Sequence, residues 1–346
     1  MAKLAEIVLP AEDQRALSHA ATRLLPYDFA SQSDEFVLEA QLETVRLSEH
    51  LRRSLTLFRR FGNPFGALLV RGIPVGAVPA TPAEAGSTIR DIHPAAAAMS
   101  VILGCLGEQY GFSPELGGRI VQDILPERAF EAHEISVGSA VGLSSHVEMA
   151  FSPFRSDYVA LLCLRADHDR QAATPVASID AILPLLDSKT VGVLSEPRFR
   201  TRVDRSYLLE TEVKGDLWID PICVFNGPSS RPHLRIDFAE TQGKDTAAEE
   251  ALRTLGQAIV DAEIAVKLLS GDLLIIDNNR AVHGRTPFIA RYDGHDRWLL
   301  RAFVTKDLRR SEHLRPKDRR IVEMDFGLDT PGTLFHMQHT PAGDSH

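Results

Sequence analysis

A strand-like run, a polar turn and a histidine follow one another in residues 271–285, which read Gly271-Asp-Leu-Leu-Ile-Ile-Asp-Asn-Asn-Arg-Ala-Val-His-Gly-Arg285. The short apolar run 273–277 predicts a buried strand, because it is bounded by turn residues on both sides. His283 alone would most simply be a hydrogen-bonded loop histidine. With a second histidine and a carboxylate, it would form the three-ligand face that leaves coordination positions open on non-haem Fe(II).

Suitable partners occur in Ser144-Ser-His-Val-Glu-Met-Ala150, where a single residue separates His146 from Glu148. Side chains two apart in a strand point to the same side, so an imidazole nitrogen and a carboxylate oxygen can reach one cation. The pair alone is weak evidence, since such pairs arise by chance on half-exposed strands. Together with His283, it gives a candidate metal site.

Two arginines accompany the next predicted strand, 298–305. Arg297 and Arg301 would share one face of that strand, and arginine suits two-pronged binding of carboxylates. Pointing into a metal pocket, they would suit one carboxylate on a cosubstrate and one on a substrate. Alternatively, they are surface partners of nearby aspartates such as Asp293 and Asp296.

The charge balance narrows the partners of this chain. Its 346 residues carry 38 Lys+Arg against 47 Asp+Glu, a net charge of −9. This balance argues against nucleic acid or an anionic membrane, both of which need a basic surface. Three scattered cysteines favour free thiols in a reducing cytoplasm, and no apolar stretch predicts a secretion signal or a membrane span. We expect a cytoplasmic globular enzyme.

The periodicity changes near Tyr110, from helical spacing to short apolar runs between turns. Helices are predicted at residues 11–25, 36–61, 95–110 and 246–269. Strands are predicted at residues 66–72, 119–125, 158–164, 175–179, 273–277 and 298–305. Gly62 is a predicted helix C-cap, and residues 209–233 are predicted to form a surface excursion or lid.

Together, these segments resemble the clavaminate synthase-like branch of the Fe(II)/2-oxoglutarate oxygenases. In order, the matching runs are Gly117-Gly-Arg, 146–168, 174–178, 271–278, 283–288 and 292–299, within about the last two thirds of the chain. The resemblance implies an α+β fold, with a double-stranded β-helix (jelly-roll) core and flanking helices. Residues 1–346 are then a single catalytic unit, divided into a mainly helical cover (1–110), the jelly-roll catalytic core (111–328) and a tail (329–346).

The resemblance also implies the cofactors and the residues that hold them. His146, Glu148 and His283 would bind Fe(II) and form the catalytic centre. Arg297, assisted by Thr174, would bind the cosubstrate 2-oxoglutarate, and O2 would be the second cosubstrate. The implied chemistry is oxidation of an unactivated C–H bond with release of succinate and CO2.

Substrate-binding residues carry over individually. Arg301 matches the arginine that holds a substrate carboxylate, Ser136 a residue that helps it, and Glu115 a residue near the α-amino group. The remaining matches contact the far end of the substrate, and these are Asp237, Asp204 and Ser206. Arg235 stands where the related arginine hydroxylase has an acid; in a strand it would share the face of Asp237 and could neutralise it. Asparagine-like, neutral or acid-bearing substrates therefore stay open.

The predicted function is hydroxylation of a free L-amino acid, arginine or an arginine-like or polar one, at C3 in antibiotic or other natural-product biosynthesis. A desaturase or oxidative cyclase acting on an amino-acid-derived intermediate is the alternative, because its iron chemistry is shared. An inactive jelly-roll binding protein is a distant alternative, since it would lack a ligand or the cosubstrate arginine. The predicted partner is a small-molecule amino acid, and the oligomeric state stays open.

Overall fold

The computed structural model describes residues 4–27, 31–86, 93–204, 207–208 and 215–323, together with one strand at 337–339. Its helices are α1 (Ala11–Leu24), α2 (Ser33–Glu43), α3 (Glu49–Phe61), α4 (Pro94–Gly104), α5 (Ile179–Ile182), α6 (Ser188–Leu194) and α7 (Thr246–Ala262). Its strands are β1 (Ala5–Val8), β2 (Ala67–Arg71), β3 (Glu108–Phe112), β4 (Gln122–Ile124), β5 (Leu143–His146), β6 (Tyr158–Arg165), β7 (Thr174–Ser178), β8 (Phe199–Arg202), β9 (Leu217–Ile222), β10 (Phe225–Asn226), β11 (His233–Leu234), β12 (Thr241–Gly243), β13 (Ile264–Val266), β14 (Asp272–Asp277), β15 (Ala281–Arg285), β16 (Trp298–Thr305), β17 (Ile321–Val322) and β18 (Met337–His339).

The largest sheet has the strand order β1-β2-β14-β6-β16-β3-β17, with β4 also pairing with β16. Its central strand β14 is buried on both faces, which explains why its sequence is a continuous apolar run rather than an alternating one. Leu273 and Ile275 pack on the side of helices α1 to α4. Leu274 and Ile276 pack on the opposite side, toward α7 and the metal-site motifs. The sheet therefore separates a helical layer from the layer that carries the candidate site.

The helical layer differs from the prediction where one long helix is expected. The predicted helix 36–61 is two helices, because Ser48 caps a new one: its hydroxyl accepts a hydrogen bond from the Leu51 N–H at 3.2 Å. Asp13 on α1 holds Ser48 through both its N–H and its hydroxyl, each at 2.7 Å. The C-cap prediction is confirmed: Gly62 has φ 64°, and its N–H donates to Phe58 O at 2.8 Å.

A second sheet, in the order β13-β7-β15-β5, carries the two histidine motifs on neighbouring strands. The predicted helix 246–269 is too long, because it ends at Ala262 and β13 then pairs with β7. The predicted helix 95–110 likewise ends at Gly104, and β3 pairs with β16. In both places, pairing with a neighbouring strand overrides the local helical pattern.

A third sheet has the order β12-β8-β9-β18. It shows that the prediction of a surface excursion or lid at 209–233 is wrong for Leu217–Ile222, where the mostly buried β9 joins this sheet, whereas residues 227–231 are exposed. Residues 209–214 lie outside the described residues. So does the predicted tail 329–346, except β18, which pairs with β9. Antiparallel pairs predominate, with parallel pairs at β1–β2 and β3–β17, so the fold is α+β with mixed sheets.

Candidate metal centre and substrate cavity

The three predicted metal ligands lie together. His146 at the end of β5 stands opposite His283 on β15, with 4.5 Å between the ring centroids. Glu148 follows two residues after His146, and its Oε1 lies 3.7 Å from His283 Nε2. One donor atom from each of the three residues lies within 4.8 Å of the others. Two imidazoles and one carboxylate form a donor set that suits Fe(II) and leaves coordination positions open.

Neighbouring backbone and amide groups hold these side chains in place. His146 Nδ1 lies 2.8 Å from Ser144 O, which leaves Nε2 for a metal when Nδ1 carries the proton. The buried Asn278 accepts from the Glu148 N–H at 2.8 Å and donates to Glu148 O at 3.1 Å. The polar turn after β14 thus fixes the ligand-bearing segment after β5. Asn278 is not among the site residues predicted from the sequence, although it immediately follows the buried strand β14.

Arg297 is buried and immediately precedes β16. Its guanidinium lies 5.7 Å from the centre of the Phe288 ring, and that of Arg285 lies 5.3 Å from the same ring. No described residue accepts a hydrogen bond or forms an ion pair with Arg297, and burial lowers the pKa of its guanidinium. The alternative of a surface salt bridge is therefore wrong. Thr174 is also buried, at the start of β7 beside β15.

A cavity of about 440 Å³ opens next to the candidate ligands. Most of the predicted substrate residues line it together with two of those ligands, and this set comprises Glu115, Ser136, His146, Glu148, Asp204, Asp237 and Arg301. Ser206 lies outside the described residues. Residues predicted separately along the sequence are thus collected around one space.

Arg301 occupies one wall of the cavity and is fully paired. One nitrogen lies 3.2 Å from Glu148 Oε1, and another contacts Glu115. The Arg301 Nε–H donates to Gln122 Oε1 at 2.9 Å, because Gln122 stands opposite Arg301 in the β4–β16 ladder. Burial lowers the pKa of Arg301 to about 9. Tyr207 donates from its hydroxyl to the other oxygen of Glu115 at 2.7 Å. Neither Gln122 nor Tyr207 is among the site residues predicted from the sequence.

Carboxylates gather on another part of the wall. Burial raises the pKa of Asp237 to about 6; His146 opposes this shift, while Asp204 and Glu240 add to it. Asp237 is placed here because it forms an isolated bridge with His146. Glu240 pairs with Arg202. This end of the cavity therefore suits a hydrogen-bond donor or a cation.

Arg235 does not neutralise this acidic end, which corrects the prediction. Residue 235 lies outside the strands, so the two-residue alternation that would bring it beside Asp237 does not apply. Its guanidinium donates to Ala150 O at 2.7 Å and to Phe151 O at 3.0 Å. No described contact joins Arg235 to Asp237. Arg235 therefore gives no reason to exclude a substrate with a cationic side chain.

Among the described helices, none is long and apolar enough to cross a membrane.

The chain is 43% identical to an L-asparagine oxygenase of Streptomyces coelicolor, over 78% of this chain and 79% of that protein. It is 33% identical to an L-lysine 3-hydroxylase of Catenulispora acidiphila, over 92% and 89% of the two chains. A crystal structure of asparagine oxygenase in complex with Fe(II), 2S,3S-3-hydroxyasparagine and succinate superposes with a TM-score of 0.86, at 37% identity, covering 92% of this chain and 99% of that one.

The family described as "Taurine catabolism dioxygenase TauD, TfdA family" matches residues 27–303. The protein is a non-haem iron dioxygenase that uses Fe(II), with 2-oxoglutarate and O2 as cosubstrates. With most of its length matched, and with the metal-binding motifs inside the match, the chain belongs to the TauD, TfdA family of dioxygenases.

Proposed function

We propose that this dioxygenase hydroxylates a free L-amino acid with a cationic or polar side chain, arginine or an arginine-like amino acid among them, at C3. One observation carries the proposal: a single cavity places candidate iron ligands between Arg301 and a group of acids. An arginine suits the α-carboxylate, and acids suit an ammonium or guanidinium group. The asparagine and lysine enzymes among the relatives support an amino-acid substrate, and natural-product biosynthesis is the proposed setting.

In this proposal, His146, Glu148 and His283 hold Fe(II). With 2-oxoglutarate and O2 bound, the iron supplies the oxidation that inserts oxygen into a C–H bond while the cosubstrate is decarboxylated to succinate. The chain itself positions the substrate carbon and excludes water. Asn278 and the Ser144 carbonyl serve this task by fixing the ligands before any substrate arrives.

Arg297 would bind the distal carboxylate of 2-oxoglutarate, with Thr174 beside it. A buried guanidinium without an acceptor is costly, so a carboxylate that pairs with it is bound strongly. The Phe288 ring lies beside the guanidinium groups of both Arg297 and Arg285 and borders this site. The cosubstrate site is therefore charged and shaped before the cosubstrate binds.

At the substrate end, Arg301 would hold the α-carboxylate with help from Ser136, and Glu115 would accept the α-ammonium. A substrate carboxylate would replace the present contact of Arg301 with Glu115, which releases that oxygen for the ammonium. Asp204 and Asp237 would face the substrate side chain. Acids outnumber arginines among the described lining residues, which favours a cationic side chain over an acidic one.

The proposal includes the finer fold assignment. The two facing sheets would form the double-stranded β-helix, or jelly roll, of residues 111–328, with residues 1–110 as cover and 1–346 as a single catalytic unit. A cytoplasmic setting is proposed because free thiols and ferrous iron both suit a reducing compartment, and the described cysteines are free.

The test is a succinate assay with Fe(II) and 2-oxoglutarate across the free L-amino acids and ornithine. We expect stimulation by a cationic or amide side chain, a product heavier by one oxygen atom, and NMR signals of a C3 alcohol. Loss of two hydrogens instead would show the desaturase. If no amino acid raised succinate above the substrate-free rate, the proposal would be wrong.

Two variants sharpen this test. His146→Ala removes a candidate ligand and should abolish turnover of every substrate. Asp204→Asn keeps the shape of the side chain but removes its charge, so it should weaken a cationic substrate about 10-fold or more while sparing a neutral one. Equal loss for both substrates would place Asp204 outside the side-chain subsite.

A further inference from the structure

The phenol of Tyr207 is buried inside the cavity wall. The backbone N–H of Tyr207 donates to Asp204 O at 3.0 Å, which ties the two residues together. The Tyr207 ring meets Phe151 edge-on, with 5.2 Å between the centroids. The tyrosine is 4% exposed and lines the same cavity as Asp204 and Glu115.

A continuous hydrogen-bond chain leads from this phenol toward the metal centre. Tyr207 donates to Glu115 Oε2 at 2.7 Å, and Glu115 Oε1 accepts from Arg301. Arg301 in turn lies 3.2 Å from Oε1 of the candidate ligand Glu148. Gln122 accepts two further hydrogen bonds from Arg301, at 2.6 and 2.9 Å. Every link is buried or half-buried, so water competes weakly for these bonds.

We infer that Tyr207 is a positioning residue that holds Glu115 for the α-ammonium of the substrate, and that it thereby links the side-chain end of the cavity to the head-group end. This inference rests on the proposed function, because it assigns Glu115 to the substrate amine. A carboxylate held by Arg301 alone would turn with that side chain. With Tyr207 fixed to its second oxygen, Glu115 keeps its place when the substrate carboxylate takes over Arg301.

The phenol stays protonated and donates its hydrogen to Glu115. Burial raises the pKa of Tyr207 well above its ordinary value, and the nearby charges of Glu148 and Asp204 raise it further. The backbone hydrogen bond from Tyr207 to Asp204 gives the link its second end. A substrate amino acid that occupies both ends of the cavity therefore binds where Asp204 and Glu115 are already connected through Tyr207.

The first experiment is Tyr207→Phe, which keeps the ring against Phe151 and removes the hydroxyl. We expect KM for the amino acid to rise about 10-fold, because one hydrogen bond to a charged group is lost. KM for 2-oxoglutarate should stay within about twofold, and the hydroxylated product formed per succinate should fall. An unchanged amino-acid KM, or an equal rise for both substrates, would overturn the inference.

Tyr110→Phe is the matched control. Tyr110 is also buried and also donates one hydrogen bond, but to Phe154 O at 2.8 Å, outside the cavity lining. Its loss should lower Tm without a selective rise in the amino-acid KM. If Tyr110→Phe gave the same KM pattern as Tyr207→Phe, the effect would be one of general stability, and the inference would fail.

A second arm needs no substrate. In wild type, Tyr207→Phe should lower Tm, whereas in a Glu115→Ala background it should lower Tm little further, because the acceptor is already gone. Equal Tm losses in the two backgrounds would overturn the inference. This arm also separates the two proposals: failure of every amino acid in the assay counts against the proposed function, while the Tm comparison judges the Tyr207–Glu115 link by itself.

Discussion

Arg297 combines a proposed functional role with a cost in stability. The residue is 6% exposed, its guanidinium has no described acceptor, and Arg285, also buried, adds a like charge nearby. A buried unpaired charge destabilises a fold, so the apo protein would be less stable for holding the proposed 2-oxoglutarate site ready. We predict that Arg297→Met stabilises the apo protein. Its free energy of unfolding should rise by about 1 kcal/mol or more, and its Tm should rise with it. The same change should abolish saturable use of 2-oxoglutarate in the succinate assay.

Arg285→Met is the comparison for that prediction. Arg285 donates to Gly138 O and to Val141 O, the latter at 2.9 Å, so its removal leaves carbonyls of the loop after Ser136 without donors. Its Tm should therefore fall. A fall in Tm for Arg297→Met as well would show that Arg297 is structurally satisfied, and the idea of a cation held ready for a carboxylate would be wrong.

At the scale of single residues, the sequence predicts those side chains whose type and spacing already carry the chemistry. His146, Glu148 and His283 are of this kind, and the structure brings them together. Gln122 and Tyr207 could not be predicted in the same way, because each acts through a contact with an element distant in sequence. Their residue types are common in ordinary protein interiors.

The helical layer depends on a contact between elements that periodicity does not reveal. Asp13 is almost fully buried, and both its oxygens are used by Ser48, which in turn caps α3. We predict that Ser48→Ala lowers the unfolding free energy by about 1–2 kcal/mol, because it loses the cap and leaves a buried carboxylate oxygen without a donor. Thermal unfolding measures this loss, and kcat/KM should be unchanged since α3 lies on the far side of the main sheet from the site.

Ser18→Ala provides the control on α1. The Ser18 hydroxyl donates to Gln14 O at 2.9 Å on an exposed helix face, and neither a cap nor a buried partner depends on it. Its Tm should match that of wild type. If both variants lost the same stability, the role of the Asp13–Ser48 contact would be refuted.

At the scale of elements, strands that are buried on both faces can be predicted from the sequence. Segments that become strands only by pairing with a distant strand cannot. The strands β6, β14 and β16 are buried along almost their whole length and consist largely of apolar residues, so they are evident from sequence. Residues 264–266 continue the apolar spacing of α7, and only their pairing with β7 makes them a strand. The break before α3 was hidden in the same way, because the leucine spacing continues across it.

In the whole molecule, the candidate metal site joins distant parts of the chain. His146 and Glu148 come from β5 and the segment after it, whereas His283 comes from β15, and the two strands meet only through tertiary pairing. The main sheet packs against the layer that contains this pairing, and the helical layer covers the opposite face of that sheet. A metal that bridges both strands therefore binds the folded state and not the unfolded chain, which makes the whole fold respond to it.

We predict that anaerobic Fe(II) raises Tm by about 2–4 °C when present at a hundredfold excess over its Kd, which corresponds to about 2.7 kcal/mol of added stability. A chelator should reverse the shift, and His283→Ala should remove it. The cluster of His168, Asp293 and Asp296 supplies the contrasting site, because its donor atoms are equally close together but away from the cavity lining. His168→Ala should therefore keep the full Tm shift caused by Fe(II). If His168→Ala lost that shift while His283→Ala kept it, the stabilising metal would lie at the His168 cluster, which would contradict the iron assignment.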